Sequence, residues 1–241
     1  MKTMIYSDYI TIRSALIQSF IIAVALGCFL AIPLGSTAAV VAMVVVIIDM
    51  GATMNLCAYD DVNDWQRFRL TMPLSRRQVV VGRYMSVALI MVCVAVLAVL
   101  IGLVLQLLLG NVLAIGDFTS LSLSTIVLEL VIAAILATCI TLIDTGITLP
   151  LMVRFGMTKA TRFIMPVMAV VLLFALQALG SIGLDSGSLE SMVVSFLGVN
   201  SLAEIGLDAL MGCALVCALV CVVLYVISSS ISIRLYQTKQ F

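Results

Sequence analysis

Apolar positions run along this chain in long unbroken blocks, and polar positions are confined to the texts between them. Six blocks, at 15–34, 37–59, 84–110, 121–153, 163–180 and 206–231, have the length of a membrane span. A hydrocarbon core about 30 Å thick takes about 20 residues of α-helix. The blocks predict helices, because backbone groups in lipid must be satisfied within their own segment. Transmembrane strands would show segments of about ten residues with strict alternation, and the sequence contains none.

The bases sort these blocks by direction. All 12 Lys and Arg residues fall in four short stretches. Lys2 and Arg13 precede or open the first block. Arg67, Arg69, Arg76, Arg77 and Arg83 lie between the second and third. Arg154, Lys159 and Arg162 lie between the fourth and fifth, and Arg234 and Lys239 follow the last. The alternate connections hold Asp117, Asp185, Glu190 and Glu204 and no base. Cytoplasmic loops collect Lys and Arg, so the pattern predicts an all-α integral membrane protein with six transmembrane helices, both termini inside, and one domain over residues 1–241. Composition agrees, since 64% hydrophobic and 10% charged residues exclude a soluble globular domain. The bases flank helices and form no continuous patch, which argues against a nucleic-acid partner.

The connections add shorter elements. Residues 3–15 mix Ile5, Tyr6, Tyr9, Ile10 and Ile12 with Asp8 and Arg13. They read either as an amphipathic helix on the inner membrane surface or as the polar start of the first span. A secretory signal or lipoprotein cleavage site before Cys28 is a poorer account, given five further spans. Residues 181–205 are too long for a turn and too apolar for a solvated loop. They predict short outer helices between spans 5 and 6, one capped by Ser188 and one opened by Ser201 with Glu204.

The inner connection from Asp60 to Tyr84, DDVNDWQRFRLTMPLSRRQVVVGRY, is the most informative polar text. Asp60, Asp61 and Asp64 crowd the expected start of a short helix over about 60–72, and Arg67 and Arg69 fall toward its end, an order the helix dipole favours. Trp65, Phe68 and Met72 share one apolar face, Pro73 stops the helix, and Ser75 with Gln78 forms a capping box that opens the next one. An aromatic pair on a charged inner helix reads either as an interfacial anchor or as a plug for a partner's groove.

Here the chain resembles a known family. The run W-x-x-F-x-L-T-M-P-L-S-R-R-x-V-V-x-x-R-Y from Trp65 to Tyr84, preceded by acids, looks like the cytoplasmic motif of bacterial ABC-transporter type-2 permeases. It is most similar to a small six-span subgroup that includes peptide-toxin and antimicrobial-peptide exporters. Pro150, Phe155, Gly156, Lys159 and Arg162 match a second pattern of that subgroup. Arg83 stands where many relatives have Lys.

The resemblance implies a cytoplasmic coupling helix between spans 2 and 3 that seats in a separate P-loop ATP-binding subunit. Asp61, Asp64, Trp65, Phe68, Thr71, Pro73, Ser75 and Arg76 would be its contacts or their support. Arg154, Phe155 and Lys159 would form a secondary contact. It further implies a bacterial plasma-membrane location, pairing with a second copy or a sister permease, and export of amphipathic or antimicrobial peptides. ATP and Mg would be held by the partner.

The chain itself has no P-loop, no metalloprotease motif and no G-x-S-x-G elbow, so it reads as a non-catalytic permease subunit. Three acids lie within spans: Asp49, Glu129 and Asp144. Each costs about 2.5–3.5 kcal/mol at a helix centre on insertion scales. They read as a polar translocation path or as hydrogen-bonded packing residues, with Asn55, Thr141 and Thr145 as available partners. A proton-coupled carrier using these acids, or a non-transporting membrane protein, would be the rival reading. The seven cysteines all fall in spans, and no His is present, which argues against a disulfide framework or a zinc site. Cys213, Cys217 and Cys221 form an i, i+4 stripe on the last helix and read as packing residues.

Overall fold

A computed structural model describes residues 2–34, 37–62, 76–111, 123–156 and 207–238 of the chain. They form five helices: α1 (Lys2–Leu34), α2 (Ala38–Val62), α3 (Arg76–Asn111), α4 (Leu123–Phe155) and α5 (Leu207–Thr238). There is no strand among the described residues. Each helix contains a stretch long and apolar enough to cross a membrane.

The helices overrun the apolar blocks, because a helix does not have to stop where hydrocarbon does. α1 continues without a break from Lys2, so residues 3–15 are the first part of that helix and not a separate surface element. α2 runs on to Val62 and takes in Asp60 and Asp61, where a separate short helix was expected to begin. α3 starts at Arg76, directly after the Ser75 of the expected capping box, and so includes Arg77 and Arg83. The remainder of the expected coupling helix, the fifth span at 163–180 and the outer helices at 181–205 lie outside the described residues.

α1, α2, α4 and α5 pack in that order as a row, and α3 lies across them in contact with all four. α2 is the buried member: 72% of its apolar window is covered, against 17% in α1 and in α5. Its Val40, Val41, Val44, Val45 and Leu56 are enclosed with Met91, Val87 and Ala98 of α3 and Leu130, Ala133 and Ala137 of α4. α1 and α5 turn large apolar side chains outward instead, among them Ile21, Phe29, Val216 and Leu219. That distribution suits lipid-facing helices around a buried one.

Small residues set the closest approaches, as they do between membrane helices. A Cβ at Gly102 of α3 would stand 2.5 Å from Val41 Cγ2 and 3.2 Å from Leu130 Cδ2. That glycine is where α3 meets α2 and α4 together. The same neighbours give direction. Gly102 lies against Val41, and Thr37 Oγ1 donates to Gln106 Oε1 at 2.7 Å, so α3 runs antiparallel to α2. Thr141 of α4 bonds Asp49 of α2, while Ser228 of α5 bonds Gly146 of α4 and Cys221 lies beside Cys139. α2, α4 and α5 therefore run in one direction, and α1 and α3 in the other.

Candidate functional site

Opposite directions and shared neighbours bring particular helix ends together. Cys57 near the end of α2, Val79, Val80 and Tyr84 near the start of α3, Leu149 and Met152 near the end of α4, and Tyr225 and Tyr236 of α5 form one apolar cluster. The chain therefore leaves α2 at Val62 and enters α3 at Arg76 at the same end of the bundle where α4 finishes. The bases of the described residues belong to this end as well: Lys2 and Arg13 in the first part of α1, Arg76, Arg77 and Arg83 at the start of α3, Arg154 at the end of α4, and Arg234 at the end of α5.

Two buried polar groupings tie this end together. Arg83 Nη1 lies 3.2 Å from Asp8 Oδ1, and Ser86 Oγ donates to Asp8 Oδ2 at 3.1 Å. The pair holds the start of α1 to α3, and Asp8 is almost fully buried. From the position next to Arg83, the Tyr84 hydroxyl is 2.7 Å from Ser232 Oγ and 3.0 Å from Ser228 Oγ. Tyr225 donates its hydroxyl to the Tyr84 carbonyl at 2.9 Å, and the two rings stack tilted with centroids 5.0 Å apart. α1, α3 and α5 are thus joined where the 63–75 segment departs.

α4 ends by a left-handed glycine. Gly156 has φ 72 and donates its N–H to the Met152 carbonyl at 3.0 Å, the cap that glycine makes without Cβ strain. Just before it, the Arg154 guanidinium lies over the Phe155 ring at 5.4 Å from the centroid. Both side chains are exposed and present a cationic, aromatic surface at the helix end. Of the residues expected to meet a partner, Asp61 is in the last turn of α2, Arg76 is the first residue of α3, and Arg154 and Phe155 close α4. Asp64, Trp65, Phe68, Thr71, Pro73, Ser75 and Lys159 lie outside the described residues.

The intramembrane acids separate into different settings. Asp49 is buried at the middle of α2 and accepts a hydrogen bond from Thr141 Oγ1 at 3.3 Å on its Oδ2. Of the partners expected for the acids, Thr141 is therefore one, whereas Asn55 bonds the Gly51 carbonyl and Thr145 the Thr141 carbonyl. Asp144 is buried one turn beyond Thr141 on α4. Asp49 Oδ1, Asp144 Oδ1 and Thr148 Oγ1 have no hydrogen-bond partner among the described residues. Asp49 and Thr53 of α2 and Thr141, Asp144, Thr145 and Thr148 of α4 are all buried, a concentration of polar groups in two packed helices otherwise filled with aliphatics. Glu129, nearer the other end of α4, is half-buried.

A cavity of about 600 Å³ opens between α3, α4 and α5. Its walls are aliphatic apart from Thr138, Cys139 and Tyr225, and none of the three acids lines it.

Long apolar helices around a buried central one, with the bases gathered at one end, define a multi-pass helical membrane protein. The chain belongs to the ABC-2 family transporter proteins, whose family model matches residues 3–237. It is therefore the membrane component of an ABC transporter, a subunit that is typically non-catalytic and that works with an ATP-binding partner. No curated protein and no solved structure matches it.

Proposed function

We propose that this chain is the permease of a bacterial plasma-membrane exporter, and that its 61–76 segment docks a separate P-loop ATPase. The observation that carries the proposal is the convergence at one end of the bundle: α2 ends, α3 begins and α4 ends there, among most of the described bases. The segment that carries Trp65 and Phe68 connects two helices packed together at this end, where the exposed Arg154–Phe155 pair also lies. Enrichment of bases supports a cytoplasmic position for this end and N-in, C-in topology.

Direction supports the sixth span. α4 and α5 run parallel, and two parallel neighbours in one bilayer need an odd number of crossings between them. The apolar block at 163–180 supplies one. Force applied at 61–76 would enter α2 and α3 as levers, and the Asp8–Arg83 pair and the Tyr84 network would pass it to α1 and α5. Two permeases, copies of this chain or sister chains, would then rock between inward-open and outward-open states around a shared path. Amphipathic or antimicrobial peptides are the cargo supported by resemblance of the 65–84 and 150–162 motifs to peptide exporters. Nucleotide and Mg belong to the partner.

The test is co-purification. The tagged chain should bring down a P-loop ATPase, and Trp65→Ala with Phe68→Ala should release it while leaving the permease in the membrane. Undiminished recovery of the ATPase with the double variant would refute docking through this segment.

A further inference from the structure

Three thiols from two helices meet about midway along α4. The sulfurs of Cys139 on α4 and of Cys217 and Cys221 on α5 lie within 4.8 Å of one another. All are free thiols; Cys139 and Cys221 are buried and Cys217 is exposed. Cys213, one turn before Cys217, is exposed and stands outside the cluster. Packing alone accounts for an i, i+4 cysteine pair on one helix. It does not account for a third sulfur delivered to the same point by a neighbouring helix. Cys139 also lines the cavity of about 600 Å³. Val92, Val96 and Val222, which line that cavity, are exposed among the described residues, so small neutral solutes have a route in.

We propose that these three thiols form a membrane-buried site for a thiophilic trivalent metalloid, with arsenite as its simplest soluble form. Sulfur donors select soft ions, and their surroundings choose among soft ions by charge. Three thiolates around a monovalent ion leave two negative charges, and around a divalent ion they leave one. Around a trivalent ion they leave none, and only a neutral adduct avoids the cost of burying charge in hydrocarbon.

Arsenite is a neutral trihydroxide near neutral pH. Each As–O bond is exchanged for an As–S bond, and each thiol proton leaves with the hydroxide as water. Three waters are released, arsenic stays in its trivalent state, and nothing is oxidised or reduced. The adduct staples α4 to α5, the most extensively packed pair of described helices. It would arrest any movement that slides one along the other. The site does not depend on the docking proposal.

The experiment uses the full-length chain in detergent with Cys28, Cys57, Cys93 and Cys213 changed to Ala, so that only the three thiols remain. Sodium arsenite should be retained at one arsenic per chain, with loss of all three thiols to a thiol reagent and growth of an ultraviolet As–S absorption. Cys139→Ala should weaken retention by about tenfold or more. The same comparison in the otherwise natural chain, Cys139→Ala against Cys93→Ala, gives the readout if the background variant folds poorly. Failure to retain arsenic, or equal affinity after Cys139→Ala, would overturn the proposal.

Discussion

Ser228 of α5 donates its hydroxyl to the Gly146 carbonyl of α4 at 2.5 Å. Gly146 is the residue four before Pro150, which lies inside α4, and proline has no N–H to give to that carbonyl. The neighbouring helix therefore supplies the hydrogen bond that the proline withholds. A helix-breaking residue becomes tolerable through an interhelical contact, as membrane helices allow.

This relation predicts a non-additive pair. Ser228→Ala should destabilise the chain by about 1–3 kcal/mol, the cost of an orphaned buried acceptor. In a Pro150→Ala background the loss should be smaller, because the new N–H at position 150 satisfies Gly146 within α4. Thermal unfolding of the four proteins in detergent measures the coupling, and strict additivity would contradict the assignment.

The Asp8–Arg83 pair predicts an asymmetry of a different kind. Arg83→Ala leaves a buried carboxylate without its base and should cost about 3–5 kcal/mol, seen as loss of membrane-inserted protein. Asp8→Asn combined with Arg83→Gln removes both charges and should recover most of the yield. A double variant as poor as Arg83→Ala would show that Arg83 acts by something other than pairing with Asp8.

Gly102 and Gly212 make a matched test of packing. Gly102→Ala places a methyl 2.5 Å from Val41 Cγ2 and should cost about 1–3 kcal/mol by overpacking. Gly212→Ala meets nothing within 4 Å and should stabilise α5 by up to about 1 kcal/mol through helix propensity. Melting temperatures should move in opposite directions.

At the α2–α4 seam, Thr141→Val removes the donor to Asp49 and should cost about 0.6–1.7 kcal/mol, the range for interhelical hydrogen bonds in membranes. Asp49→Asn keeps an acceptor for Thr141 and should fold like the parent. If Asp49 lines the path, export by the Asn variant should fall. Export equal to the parent would confine Asp49 to packing.

Hydropathy revealed the presence and order of all five described helices, because it marks where hydrocarbon must be filled. It placed their ends less well: Lys2 begins α1 and α2 runs on to Val62, since backbone hydrogen bonding continues past the apolar block, whereas the start of α3 at Arg76 was read from the Ser75–Gln78 capping box. What joins the helices was mostly hidden. Asp8 and Arg83 are far apart in the chain and each had a local explanation, one as a surface acid and the other as a flanking base. Tyr84 was legible only as the last residue of the 65–84 motif, Ser232 gave no signal, and Cys139 became a partner of Cys217 and Cys221 only when α4 and α5 were laid side by side. Thr141 was legible as a partner for an intramembrane acid, though not as the partner of Asp49 in particular.

The docking claim is tested most directly by a photo-crosslinking amino acid at position 65 in membranes that contain the assembled transporter. A crosslinked product between this chain and a P-loop ATPase is expected, identified by mass spectrometry and diminished when Phe68 is changed to Ala. Crosslinks confined to lipid or to this chain, in a transporter that still exports, would contradict it.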